Sequence, residues 1–445
     1  MRFHTARAFI AALLMLTFVC MPLCVHALDL EQVFTEVSTA NPSLIAHRHE
    51  ADAARAHARR AGAWDAPMLE LAAQNVPVSG AFDMDPMTMR MVGVEQRVDV
   101  FGARALARRA AQLELHAATA QTDGARWERL AEAWEAYADA YFSAQRAADA
   151  HAHRGVMDRM WAAARARYES GRGRLDDLLR AEAERARIAG DAATFAAEET
   201  AARARLDALR GRMSGANTDS LAAPPEWLAP DSDAGWQVAV AEHPRLRVLR
   251  ERVAARRTMA SAARRMTWPE LRLNASYGFR KTLTDGTPQD NMWSAGVGFM
   301  LPIGSGARQG AEAAEMDAMA AAVAAEQRGE ELGLTAELTQ LRAQAVAARR
   351  VVGLLTDTVL VAQHRALEAS WSAYESGRID LSGVLESAHA SYAEELDVTR
   401  ARQELARMLA RLLAVTARGE LVGVRVAPPT LDSRVPPARH EGSSR

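Results

Sequence analysis

Tyr168-Glu169-Ser170-Gly171-Arg172-Gly173-Arg174-Leu175-Asp176-Asp177-Leu178-Leu179 recurs 206 residues later as Tyr374-Glu375-Ser376-Gly377-Arg378-Ile379-Asp380-Leu381-Ser382-Gly383-Val384-Leu385. Each copy lies between two long Ala/Arg/Glu-rich stretches with helical texture. Glycine supplies the positive-φ residue on which a helix ends. An aspartate a few residues later, here Asp176 or Asp380, suits the start of the next helix. Each copy is therefore expected to form the tip of a helical hairpin, over 168–177 and 374–383.

The duplication spreads outward from these tips. Asn41-Pro42-Ser43-Leu44 matches His243-Pro244-Arg245-Leu246, and Pro67-Met68-Leu69-Glu70-Leu71 matches Pro269-Glu270-Leu271-Arg272-Leu273, both at an offset of 202 residues. Gly102-Ala103-Arg104 matches Gly306-Ala307-Arg308 at 204. A period near 200 residues exceeds that of ordinary solenoid repeats. The chain is read as two copies of one large supersecondary unit, 28–223 and 236–423, joined by a Pro-rich linker at 224–235. Arg104 to Tyr168 contains no proline, and a helix over it would run to roughly 97 Å at 1.5 Å per residue, longer than an ordinary globular domain is wide.

The ends read differently. Arg2 and Arg7 precede the apolar run Ala8–Val19, which is too short for a spanning helix and ends near Val25-His26-Ala27, so 1–27 is expected to be a cleaved secretory leader. Its loss lowers the formal net charge from −2 to −4 and removes Cys20 and Cys24, the two cysteines of the chain. Whether either is lipidated stays open; each follows a bulky residue, Val19 or Leu23. With 54 basic and 56 acidic residues there is no basic surplus to suggest nucleic acid. The segment 424–445, with Pro428, Pro429, Pro436 and Pro437, reads as a disordered tail.

Between the helical stretches lie β-like segments, expected over 68–76, 87–100, 271–280 and 291–301. From Leu271 the side chains alternate strictly: Leu271, Leu273, Ala275, Tyr277 and Phe279 on one face, Arg272, Asn274, Ser276, Gly278 and Arg280 on the other. Strands of about 10 residues with one apolar and one polar face characterise transmembrane barrels. Past the leader no run of 18 apolar residues exists. Four strands cannot close a barrel, and open edges in lipid would leave backbone groups unpaired, so chains must combine. Two chains give eight strands and a filled interior. Three give twelve, and a trimer is the smallest assembly with a pore.

In this order of parts the sequence resembles the TolC family of outer-membrane efflux proteins. The resemblance covers Leu28 to Gly423 and includes the Gln96-Arg97-Val98-Asp99-Val100-Phe101-Gly102 strand-to-helix junction and both Tyr-Glu-Ser-Gly-Arg tips. The junction and the compact hairpin loops look most like the CzcC-type branch that serves heavy-metal efflux pumps. The resemblance implies a mainly α fold with a membrane β part: a trimer whose 12-stranded outer-membrane β-barrel continues into the periplasm as an α-helical tunnel. It implies a passive exit duct for an RND-type tripartite system, working with a periplasmic adaptor and an inner-membrane pump and needing no cofactor. The tips, with Tyr168, Gly171, Tyr374 and Gly377, would form the periplasmic mouth where the adaptor docks. Asp177 and Glu386 would be candidates for the aperture. Drug efflux or type I protein secretion are alternative tasks for such a duct. A periplasmic adaptor or a coiled-coil scaffold is an alternative class.

No catalytic constellation is present. Met84, Met87, Met89 and Met91 lie with Asp83 and Asp85 near the first strand loop, and thioethers suit Cu(I). Met87, Met89 and Met91 share one face of a strand, however, and that face is expected to meet lipid. His47, His49, His57, His151 and His153 lack ligand spacing and are expected to be solvated or tunnel-lining, so no metal site is assigned.

Overall fold

The computed structural model describes residues 27–427 apart from 79, 216–219, 231–233 and 301–305. The leader expected over 1–27, with Cys20 and Cys24, lies outside the described residues except for Ala27, as does the tail from 428. The first repeat comprises helices α1 (Leu30–Ala40) and α2 (Pro42–Ala61), strands β1 (Met68–Gln74) and β2 (Met89–Val98), and helices α3 (Ala103–Glu169) and α4 (Leu175–Leu209). The second comprises α5 (Gly235–Ala241), α6 (Pro244–Arg265), β3 (Glu270–Phe279), β4 (Met292–Met300), α7 (Gly306–Leu354), a π-helical turn (Leu355–Val359), α8 (Leu360–Glu375) and α9 (Leu381–Thr416). Helix α3 has 67 residues and is therefore about 100 Å long.

The two repeats begin alike for one chemical reason. At the α1/α2 break, Asn41 Oδ1 accepts from the Ser43 and Leu44 amides while its Nδ2 donates to the Leu209 carbonyl at 2.7 Å. At the α5/α6 break, His243 Nδ1 accepts from the Arg245 amide at 3.2 Å and Nε2 donates to the Ala414 carbonyl at 3.1 Å. One side chain thus caps the incoming helix and ties it to the end of the outgoing one. The cap bond, in which Nδ1 accepts, requires a neutral imidazole, and burial lowers the His243 pKa.

Around these joints lies the larger apolar core, with Phe34, Leu44, Leu130, Trp134, Tyr137, Leu246 and Leu413 all buried. Tyr137 donates to the carbonyls of Leu28 and Ala222, at 2.8 and 2.6 Å, pinning the start of the described chain to the end of the first repeat, just before the linker at 224–235. That linker is packed: Leu228 and Ala229 are buried and the Ala229 amide donates to the Leu421 carbonyl. The first residues of the segment expected to be a tail are also packed. Val424 is buried and the Ala427 carbonyl accepts from Arg126, so 424–427 belong to the folded body.

The four strands form one antiparallel sheet in the order β1-β2-β3-β4, leaving β1 and β4 as edges. The register places Leu71, Val92, Tyr277 and Trp293 in one cross-strand row and Leu69, Val94, Ala275 and Ala295 in the next. These rows share a face that no helix covers: Leu71 is 73% exposed, Trp293 77% and Phe299 63%. The opposite face carries Glu95, Arg97, Arg272, Asn274 and Ser276.

The register corrects the placement of the methionines. Met91 pairs with Ala72 and Gly278, and Met89 with Gln74, so both lie on the polar face. In β2 both alternate sets contain apolar residues, and only the pairing with β3 distinguishes them. A second correction concerns His153, which is 7% exposed and stacked on Tyr392 at 4.5 Å rather than solvated.

Candidate functional site

Helix α3 and helix α8 end in the same hydrogen-bonded motif. At the first tip Gly171 N–H donates to the Tyr168 carbonyl and Arg172 N–H to the Arg167 carbonyl, both at 2.9 Å. At the second, Gly377 N–H donates to the Tyr374 carbonyl at 2.9 Å and Arg378 N–H to the Ala373 carbonyl at 2.8 Å. This is the Schellman arrangement, which requires a left-handed residue after the cap. Gly171 and Gly377 supply it, with φ of 71° and 74°. A Cβ at either would meet nothing within 4 Å, so each glycine is there for its backbone angle and faces open space.

The restart of the helices is less symmetric. Asp380 is the N-cap of α9, its Oδ1 accepting from the Gly383 amide at 3.2 Å and from the Ser382 hydroxyl at 2.6 Å. Counting from the tip glycines, the residue at the same place in the first repeat is Arg174, the N-cap of α4, which makes no side-chain cap bond. Asp176 sits inside the first turn instead, 2.9 Å from Arg174. Its pairing with Arg174 lowers its pKa, and the bonds to Ser382 and Gly383 lower that of Asp380. Asp177 is raised, by partial burial first and then by the charges of Asp176 and Asp380. Glu386 is exposed on α9, about two turns beyond Gly377.

The two hairpins are locked side by side just above the tips. Tyr374 is 5% exposed and the Arg167 guanidinium lies over its ring at 4.2 Å, while Tyr168 remains accessible. Behind this pair a second apolar cluster, with Met157, Met160, Ile188, Val384 and Tyr392, joins α3, α4 and α9. Further along the same helices, His389 Nδ1 lies 3.2 Å from Glu184 Oε1, linking α9 to α4. Tyr392 reaches Asp191 at 3.5 Å, and burial raises its pKa to about 12. His153, pressed against the Tyr392 ring, is pushed by burial down to about 4. Reading the sequence missed Arg167, Glu184 and His389. Their partners lie on another helix about 200 residues away, and no local spacing signals such a contact.

Among the described residues no group of three or more His, Cys, Asp or Glu is arranged to hold a metal ion, and no helix is long and apolar enough to cross a membrane.

A sheet with one bare apolar face, carried on two antiparallel helical hairpins whose long helix runs to about 100 Å, is the fold of solved outer-membrane channels. Residues 236–418, essentially the second repeat, match the family model described as outer membrane efflux protein. The structure is similar to the outer-membrane channel OprN, with 20% identity over 87% of this chain and 89% of that one and a TM-score of 0.71. It is similar to the open state of the MtrE outer membrane channel of Neisseria gonorrhoeae, with 20% identity over 88% and 89% and a TM-score of 0.71. It is also similar to the outer membrane protein VceC of Vibrio cholerae, with 18% identity over 87% and 96% and a TM-score of 0.71. At such identities the structures have the fold in common, and the family model matches the second repeat alone. No curated protein sequence shows significant similarity to the chain.

Proposed function

We propose that three copies of this chain form the outer-membrane exit duct of a tripartite efflux system. The β4 edge of one copy pairs with the β1 edge of the next, and the twelve strands close a barrel whose bare face meets lipid. The long hairpins continue as a tunnel through the periplasm. The observation that carries this reading is the uncovered face of Leu69, Leu71, Val94, Tyr277, Trp293 and Phe299, which is far too apolar to be left in water. The duct is passive and works with an adaptor and an inner-membrane pump. Gly171, Gly377 and Tyr168 offer the adaptor an open surface, and Tyr374 holds the two hairpins together behind it. Asp177 and Glu386 border the aperture, where threefold symmetry brings like charges together and favours bound cations.

The proposed cargo is heavy-metal cations, following the CzcC-type character of the junction and loops. The inward strand face carries Glu70, Glu95 and Glu270 beside Arg97 and Arg272, with Arg280 following at its end, so its charges balance. Deleting the gene tests both levels. The expected result is heightened sensitivity to zinc, cobalt, cadmium or copper, with the wild-type protein recovered as a trimer in the outer membrane. Sensitivity to dyes and detergents but to no metal overturns the cargo and leaves the duct. Recovery as a soluble periplasmic monomer overturns the duct.

A further inference from the structure

The polar sheet face holds a feature that a water-filled lumen does not need. Gly278 in β3 is paired with Met91 on one side and Met292 on the other, so two methionines flank a residue without a side chain. Met89, two residues along β2, leans diagonally into the gap: its Sδ lies 2.8 Å from the point a Gly278 Cβ would occupy. Met89 is only 9% exposed, whereas Met292 is open to the lumen side. The register thus places Met91 and Met292 on either side of Gly278 on the same face, with the Met89 sulfur lying over the glycine between them. Lumen faces of such barrels are ordinarily polar. Arg90, between Met89 and Met91, pairs with Phe279 on the opposite face, and Arg280, two residues from Gly278, is held elsewhere by the Pro86 carbonyl, by Gln289 at 2.6 Å and by the Asp290 carbonyl at 3.4 Å.

We infer that Met89, Met91 and Met292 form a binding site for a soft monovalent cation, Cu(I) or Ag(I), on the lumen face above Gly278. Thioethers are neutral and polarisable, so they favour soft d10 ions and give little to Zn²⁺ or Co²⁺, which prefer imidazole or oxygen donors. Three neutral sulfurs hold such an ion without trapping it, as a duct requires. The inference rests on the duct reading in one respect, that the polar face lines the lumen, and it narrows the cargo to soft ions.

The test is equilibrium binding to the purified trimer beginning at Leu28, which has no cysteine to compete. Ag(I) titration by calorimetry, with X-ray absorption at the silver edge, is expected to show one ion per protomer with sulfur-only ligation. The triple variant Met89→Leu, Met91→Leu, Met292→Leu conserves volume and is expected to lose that ion, at least a tenfold weakening. Met68→Leu with Met300→Leu, on the same face at its other end, is expected to keep it. Gly278→Val, which fills the floor and displaces Met89, is expected to weaken binding while trimers persist. Unchanged silver stoichiometry in the triple variant, absence of binding by the wild type, or equal binding of Zn²⁺ overturns the site. None of these results bears on trimer formation or on export, so the duct reading stands or falls separately.

Discussion

Ala275 and Ser276 are neighbours in the middle of β3 and face opposite ways, which makes them a paired test of the barrel. Ala275 lies in the row of Leu69, Val94 and Ala295, and Ser276 lies between Gly93 and Ser294. Ala275 is the sixth residue of a 10-residue strand and so sits near mid-height of the apolar band. Arginine on the lipid face at that depth costs about 2–4 kcal/mol, whereas the same residue in the lumen costs little. With each 1.4 kcal/mol worth a factor of ten, Ala275→Arg should weaken folding into the membrane by about 30- to 1000-fold per protomer. Urea unfolding in lipid vesicles, read by the trimer band and by tryptophan fluorescence, measures this. The expected result is a large drop in midpoint for Ala275→Arg and at most a small one for Ser276→Arg. Equal tolerance of both would mean that neither face meets lipid. A larger loss for Ser276→Arg would invert the sheet and refute the assignment of faces, and with it the lumen placement of Met89 and Met91.

Two further predictions follow from the joints and the tips. His243→Ala removes a helix cap and the bond to the Ala414 carbonyl, each worth about 1 kcal/mol, so the Tm of the purified protein should fall, while His243→Asn should hold because Asn41 makes the same pair of contacts. Burial lowers the His243 pKa below its ordinary 6.5, so the folded chain binds fewer protons than the unfolded one; this contribution is complete above about pH 6.5 and lost as pH falls below it. The wild type should therefore lose stability between pH 7 and 5 more steeply than His243→Asn, against a background from His153, whose pKa near 4 is common to both; parallel pH profiles would refute the role of the neutral imidazole. At the tips, Gly377→Trp adds backbone strain of about 1 kcal/mol or more at a φ of 74° and projects a ring into open space. It should leave trimers in the outer membrane and abolish export, and full export would remove the docking role.

Much of this architecture was already legible in the sequence. The doubled tip announced two hairpins because only glycine holds the left-handed position of the helix-ending motif at low cost, and Gly171 and Gly377 both hold it. The alternation from Leu271 to Phe279 announced a two-faced strand because side chains alternate with period two. Other features came only from residues meeting across long separations. Strand β2 has apolar residues in both alternate sets, and its register against β3, set some 180 residues away, turned Met89 and Met91 to the polar side. Tyr374 looked like its exposed counterpart Tyr168 until Arg167 closed over it from the other hairpin. Asp176 and Asp380 both suited the start of the next helix, but only Asp380 became an N-cap, while Arg174 took that place in the first repeat without a side-chain cap bond. Local pattern determines which way a backbone turns. Which side of it is covered depends on distant partners, and the three-dimensional structure alone brings those partners together.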